Sequence, residues 1–211
     1  MYVADTWNHR IQELDANGKF LKMWGSNADT RGIAAVDPDK FYGPRAIVVD
    51  AQGNLLVTDT GNKRVLKFSP DGAPLAQFGG FGAEIGLFNE PVGLAVDGQG
   101  NIYVADTWNQ RIQKFDASFN FIAQWSVQAW DGQGVLNKPY LAVDAEGNVV
   151  VSDPEAHRLI KFSNDGRVLA VWGALGTDMN SFNLPTGVAF DAQGNLYVAD
   201  SGNMRILVFN K

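Results

Sequence analysis

Five aspartates and five arginines recur at one spacing. Asp5, Asp59, Asp106, Asp153 and Asp200 are each followed five residues later by Arg10, Arg64, Arg111, Arg158 and Arg205. A carboxylate beside a guanidinium can serve as an acid or as an ion pair. A catalytic acid is needed once, whereas this pair occurs five times. Repetition therefore predicts a clip that caps turn amides and holds an arginine. A second series, Asp50, Asp97, Asp144 and Asp191, always precedes x-x-Gly-Asn. That spacing predicts an Asx-type turn. The two histidines, His9 and His157, share a repeat position but stand three repeats apart. Zinc needs its ligands within about 2.1 Å. We therefore expect no metal and no cofactor. The sequence carries no Gly-x-Ser-x-Gly and no glycine-rich phosphate loop with Lys-Ser/Thr. No catalytic residue is assigned.

Composition narrows the partners. The chain has 211 residues, 17 Lys and Arg against 23 Asp and Glu, and a formal net charge of −6. An acidic balance disfavours a phosphate-backbone partner and an anionic membrane surface. No apolar run reaches the length of a membrane helix, so no direct membrane insertion is expected in this segment. The first residues, Met-Tyr-Val-Ala-Asp-Thr-Trp, lack the basic start of a signal peptide. There is no cysteine, hence no disulfide and no thiolate metal site.

The elements that must position these residues follow from the period. The intervals in the Asp5 series are 54, 47, 47 and 47. The long first interval reflects seven extra residues within 26–42. Within 91–137 the signals are all β: strand a at Val92–Asp97, b at Asn101–Asp106, c at Gln110–Phe115 and d at Phe121–Trp125. Glycine and asparagine supply the turns between them. Four short strands per 47 residues, repeated, predict an all-β β-propeller of four-stranded antiparallel blades. Trp24, Trp125 and Trp172 recur in register and are expected in the core. Phe41, Phe88 and Phe182 recur three residues before strand a and are expected to anchor loops.

The pattern P-x-G-x-A-V-D-x-x-G-N-x-Y-V-A-D-x-x-N-x-R-I-x-x-F resembles the NHL repeat. It is matched nearly in full at 91–115 and 185–209 and well at 44–68. The wording of residues 3–25 is similar to NHL regions of bacterial surface or membrane-linked proteins, which implies an extracytoplasmic setting within a longer membrane-linked chain. By this reading residues 1–211 form a single NHL-repeat propeller. Residues 1–43 are a partial blade plus insertion, 44–90, 91–137 and 138–184 are full blades, and 185–211 is a partial blade. That makes about 4.5 blades, an incomplete part of the six-bladed ring that related NHL domains form. Open blade edges would allow self-association.

Function is expected where the repeats disagree. The a–b and c–d turns are nearly uniform, apart from Phe119 in a glycine slot. The b–c tips and the d–a loops (26–43, 80–90, 127–137 and 174–184) vary, and in an antiparallel meander they share one face. At the start of strand a, Tyr140 stands where other repeats have Gly or Ala, and Lys138 where they have Pro. Arg45 is the charged member of its series. The candidate ligand-binding set is Arg45, Lys138 and Tyr140, with Trp7, Trp108 and Trp130 as flat apolar platforms. For the tryptophans the alternative is packing against a neighbouring turn. Such a face suits a protein, peptide or glycan.

An enzyme reading, a lyase or a lactonase-like hydrolase, would need acids or histidines converging at the channel mouth. Glu90, Asp131 and Glu155 are the loop acids that could contribute. The NHL-type lyase that cleaves hydroxyglycine peptides uses several metal-binding histidines, a supply this chain lacks. Some animal NHL domains bind RNA. Here the rim carries Arg31, Arg45, Lys63 and Lys138 against Asp29, Asp37, Asp39, Glu84, Glu90, Asp131, Glu155 and Asp178, so no nucleic acid partner is expected.

Overall fold

A computed structural model describes residues 1–28, 37–131, 134 and 138–211. Five blade sheets follow one another along the chain, and a short parallel pair, Ser26–Asn27 with Lys40–Phe41, lies between the first two in sequence. Sheet 1 comprises Tyr2–Asp5, Arg10–Leu14 and Phe20–Trp24, in the places of strands b, c and d. Sheet 2 has all four, Pro44–Val49, Leu55–Asp59, Arg64–Phe68 and Pro74–Gly79. Sheet 3 runs Pro91–Val96, Ile102–Asp106, Arg111–Phe115 and Phe121–Ser126. Sheet 4 runs Leu141–Val143, Val149–Asp153, Arg158–Phe162 and Val168–Trp172. Sheet 5 holds a, b and c as Pro185–Phe190, Leu196–Asp200 and Arg205–Phe209. The predicted strand bounds in sheet 3 therefore stand within one residue of those observed. The blade count does not: the structure has five blades rather than about 4.5 of six. The terminal repeats form three-stranded sheets in their own right. The chain divides into two compact units, Met1–Leu94 and Ala95–Lys211.

The turns obey the chemistry their residues imply. Asp50 Oδ1 accepts from the Gln52 and Asn54 amides at 2.9 and 2.8 Å, and Oδ2 from Asn54 Nδ2 at 3.0 Å. Asp97, Asp144 and Asp191 repeat this network. In the c–d turns Gly18, Gly72 and Gly166 have φ of 80°, 85° and 91°. Phe119 takes their left-handed place at φ 67°.

Packing is pairwise between neighbouring sheets within each unit. In the first, Ile11, Phe41, Leu55, Val57, Leu66 and Phe68 form one core cluster, with Trp24 against it. In the second, one cluster joins sheet 3 to sheet 4 through Tyr103, Ile112, Trp125, Val151 and Phe162. Another joins sheet 4 to sheet 5 through Val150, Leu159, Phe182, Leu196 and Leu207. Phe41, Phe88 and Phe182, the expected loop anchors, are wholly buried. Each lies under a glycine that follows strand d or closes it. A Cβ on Gly25 would stand 2.5 Å from Phe41, on Gly79 2.8 Å from Phe88, and on Gly173 2.4 Å from Phe182. These glycines let the loop ring slide beneath the strand end.

Candidate functional site

Each b–c hairpin is built around the aspartate clip. Arg Nε donates to the carboxylate five residues earlier at 2.8, 2.9, 2.8, 2.8 and 2.7 Å along the chain. Asn8, Asn62, Asn109 and Asn203 add an Nδ2 donor at 2.9, 2.8, 2.8 and 2.8 Å. Sheet 4 has Ala156 there and lacks this donor. In sheets 2 and 5 the other arms of the arginine reach the preceding d–a loop. Arg64 holds the carbonyls of Asp37 and Lys40, and Arg205 those of Thr177, Asp178 and Ser181. Loop amides return the contact: Tyr42 N–H donates to Asp59 at 2.7 Å and Asn183 N–H to Asp200 at 2.6 Å. The clip thus fixes both a tip and the loop lying over it. The hydrogen bond from Arg10 holds the Asp5 carboxyl below its usual range, with Asn8 and Gln12 adding to it against the opposing pull of desolvation. For Asp59 burial dominates and pushes the carboxyl up, despite its donors.

The residue before each arginine is left-handed. His9, Lys63, Gln110, His157 and Met204 have φ of 54°, 58°, 52°, 56° and 53°. This backbone strain, about 1–2 kcal/mol per residue, presents four kinds of side chain from one geometry: Met204 is exposed, whereas His9, Lys63, Gln110 and His157 are half-buried. At one position the tips carry glycine in sheets 2 and 5, tryptophan in sheets 1 and 3, and Glu155 in sheet 4. Gly61 and Gly202 lie beneath a loop, their amides donating to Tyr42 O at 2.8 Å and Asn183 O at 2.7 Å. A Cβ on Gly61 would stand 2.1 Å from the Tyr42 ring. At the equivalent positions Trp7 is 76% exposed and Trp108 45%.

In the first unit, Trp7 and Arg45 flank one contact, the hydrogen bond from Thr6 Oγ1 to Pro44 O at 2.8 Å. Arg45 is half-buried and makes no hydrogen bond or ion pair among the described residues. Sequence reasoning missed two neighbours. His9 stacks on Tyr42, with ring centroids 5.3 Å apart and planes 9° from parallel. Lys63 Nζ meets Glu90 Oε2 at 2.7 Å.

In the second unit, Trp108 and Lys138 come together, the ammonium 4.6 Å from the ring centroid. Lys138 is not a rim side chain open to a ligand, because only 1% of it is exposed. It fills the slot that buries Pro44, Pro91 and Pro185 elsewhere, and its stem packs while its head meets the indole face. Tyr140 is half-buried; its amide donates to Ser152 Oγ at 2.9 Å, as Ala46 N–H does to Thr58 Oγ1.

Trp130 corrects the expectation most sharply. It is 1% exposed, donates Nε1–H to Ser152 O at 3.0 Å and belongs to the core. The cause is a substitution of roles. In this repeat the glycine that follows or ends strand d is replaced by Ser126, and the loop phenylalanine by Val135. Trp130 supplies the buried anchor instead. That double absence was the available sequence signal.

Both histidines are engaged by the backbone. His9 Nδ1 accepts from Gly43 N–H at 3.1 Å and His157 Nδ1 from Leu184 N–H at 3.2 Å. Among the described residues no three His, Cys, Asp or Glu side chains gather as a metal site. Asp29 and Arg31 of the rim lie outside the described residues. A cavity of about 320 Å³ in the second unit is lined by Asp144, Glu146, Lys161, Trp172, Phe209 and Lys211 among others. It takes in a–b turn residues and none of the six predicted site residues.

The NHL repeat family model matches residues 41–68, 88–115 and 182–209. The chain carries NHL repeats and folds as a β-propeller. It is similar in structure to a streptogramin B lyase, with a TM-score of 0.65 and 14% identity, covering 99% of this chain and 64% of that one. The virginiamycin B lyase of Staphylococcus aureus matches at a TM-score of 0.60 and 9% identity, over 99% and 65%. A protein of unknown function from Bacteroides thetaiotaomicron matches at 0.66 and 16%, over 94% and 49%. At such identities the likeness is one of fold. The chain spans less than two thirds of the length of each.

Proposed function

We propose that this chain is a non-catalytic binding propeller. It recognises a protein, peptide or glycan through the face of the b–c turns and d–a loops. The observation that carries the reading is Trp7, 76% exposed on a turn held by the same clip as its four counterparts. An exposed indole on a rigid turn offers a large contact area at little entropic cost. In the first unit the half-buried Arg45 flanks the same Thr6–Pro44 contact as Trp7, and the second unit carries a platform of its own, Trp108 backed by the Lys138 ammonium. A glycan and peptide array probed with the chain tests this, followed by titration of any hit against Trp7→Ala, Trp108→Ala and Arg45→Ala. Trp7→Ala should weaken binding at least about tenfold, a loss of about 1.4 kcal/mol. Unchanged affinity in all three variants rejects the site.

The second reading, a propeller enzyme, draws on the fold it shares with two lyases. Incubation with a streptogramin B and divalent cations, followed by chromatography, decides it. A chain-dependent product would favour the enzyme.

A further inference from the structure

Asparagine followed by glycine occurs once in the chain, at Asn17-Gly18 in the c–d turn of sheet 1. The asparagines of the b–c clips donate Nδ2 to an aspartate. Asn54, Asn101, Asn120, Asn148 and Asn195 do the same in the other hairpin turns. Each of these is followed by a residue with a side chain. Asn17 differs on both counts. It is exposed, its carboxamide makes no hydrogen bond among the described residues, and Gly18 follows it at φ 80°. The exposure belongs to the turn and not to the sheet's place in the chain. Asp71, Ser118 and Asp165, at the same position in sheets 2, 3 and 4, are exposed as well. The first of these turns alone puts a carboxamide there.

We propose that Asn17 is a site of covalent self-modification, deamidating through a succinimide formed with Gly18. The Gly18 backbone nitrogen attacks Asn17 Cγ. A new C–N bond closes the ring, the Cγ–Nδ2 bond breaks, and Nδ2 leaves as ammonia with the proton that Gly18 N gives up. Water then opens the ring at either carbonyl, leaving aspartate or isoaspartate at position 17. Glycine suits the step because no Cβ shields its nitrogen and its backbone can turn toward the ring. In the closed turn Gly18 N–H donates to Asp15 O at 3.1 Å. That bond must open before attack, so the reaction reports local opening of the turn. The two products differ in consequence. Aspartate is what sheets 2 and 4 already carry there, as Asp71 and Asp165. Isoaspartate adds a carbon to the main chain inside the hairpin that Asp15 N–H closes on Lys19 O at 2.9 Å. The turn is separate from the b–c tips, and the proposal does not rest on the binding function above.

Incubation of the 211-residue chain at mildly alkaline pH, then trypsin and mass spectrometry, tests this. The peptide of residues 11–19, IQELDANGK, should convert to aspartate and isoaspartate forms, resolved against synthetic standards, before any other asparagine changes. Conversion should quicken as pH rises, because the attacking nitrogen must lose its proton. Gly18→Ala should convert little over the same interval. Phe119, left-handed in the equivalent turn of sheet 3, shows that a side chain is tolerated there, so this variant should fold. Asn17→Asp should melt like the parent. Three results each overturn the proposal: residues 11–19 unchanged in the chain when free IQELDANGK has converted, an earlier change at another asparagine, or undiminished conversion in Gly18→Ala.

Discussion

Two tryptophans on neighbouring kinds of loop have opposite fates. Trp7 is 76% exposed and Trp130 1%. Trp7→Ala should leave stability within about 0.5 kcal/mol of the parent. Trp130→Ala should cost about 3–5 kcal/mol, as large aromatic deletions in cores do. Urea unfolding of both variants measures this, and equal losses would contradict the assignment. At this scale the sequence was legible only where a residue sat in register. The aspartate clips, the turn aspartates and the anchoring phenylalanines recur, and each took its expected role. Trp130 has no counterpart 47 residues away, so no alignment could say which way it pointed. Lys138 was in register, but its charge drew attention to the surface, while the slot itself is buried in every sheet that has Pro.

At the scale of elements, close approach rather than propensity decides. Gly61 permits the Tyr42 ring to lie across its tip. Gly61→Ala would drive a Cβ into that ring and should cost about 1–3 kcal/mol by overpacking. Gly98, in an a–b turn, has nothing within 4 Å of its would-be Cβ and no left-handed φ. Gly98→Ala should be neutral or stabilise by up to about 1 kcal/mol, through the unfolded chain. Thermal melts of the pair test this, and a cost at Gly98 matching that at Gly61 would refute it. The strands of sheet 3 were readable to within a residue, and Asp-x-x-Gly-Asn marks where each a–b hairpin turns. The short 3-10 turns at Thr6–Asn8, Thr107–Asn109 and Ser201–Asn203 were readable only as turns. Strand a of sheet 4 is just Leu141–Val143; Pro139, which lacks a donor, stands where the longer strands have Arg45, Val92 and Thr186.

Across the whole molecule, carboxylates set the acid limit. Asp5, Asp116 and Asp191 are held below the ordinary 3.8, by Arg10 in the first case and by Asn120 and Asn195 in the others. A carboxyl with a lowered folded pKa contributes stability that is present above its unfolded value and lost as pH falls through the folded value. Asp59, pushed up by burial, works in the opposite sense. The lowered groups are the more numerous. The melting temperature should stay level from about pH 7 to 5 and fall below about pH 4. Asp191→Asn should make the fall shallower. A melting temperature that rises on acidification below pH 4 would refute the balance. The fold class and repeat could be read at this scale because every repeat restates them, whereas the count of sheets depended on incomplete repeats standing alone.

The clip that closes each b–c hairpin also bears on the order of assembly. Asp and Arg lie five residues apart in all five hairpins, so each closure joins near neighbours in sequence. Contacts of such low order form early, because little chain entropy is lost in closing a short loop. Refolding should therefore start at several hairpins in parallel. Pulsed hydrogen exchange would find strands b and c protected before strand d joins them, and protection of strand d first would argue against it.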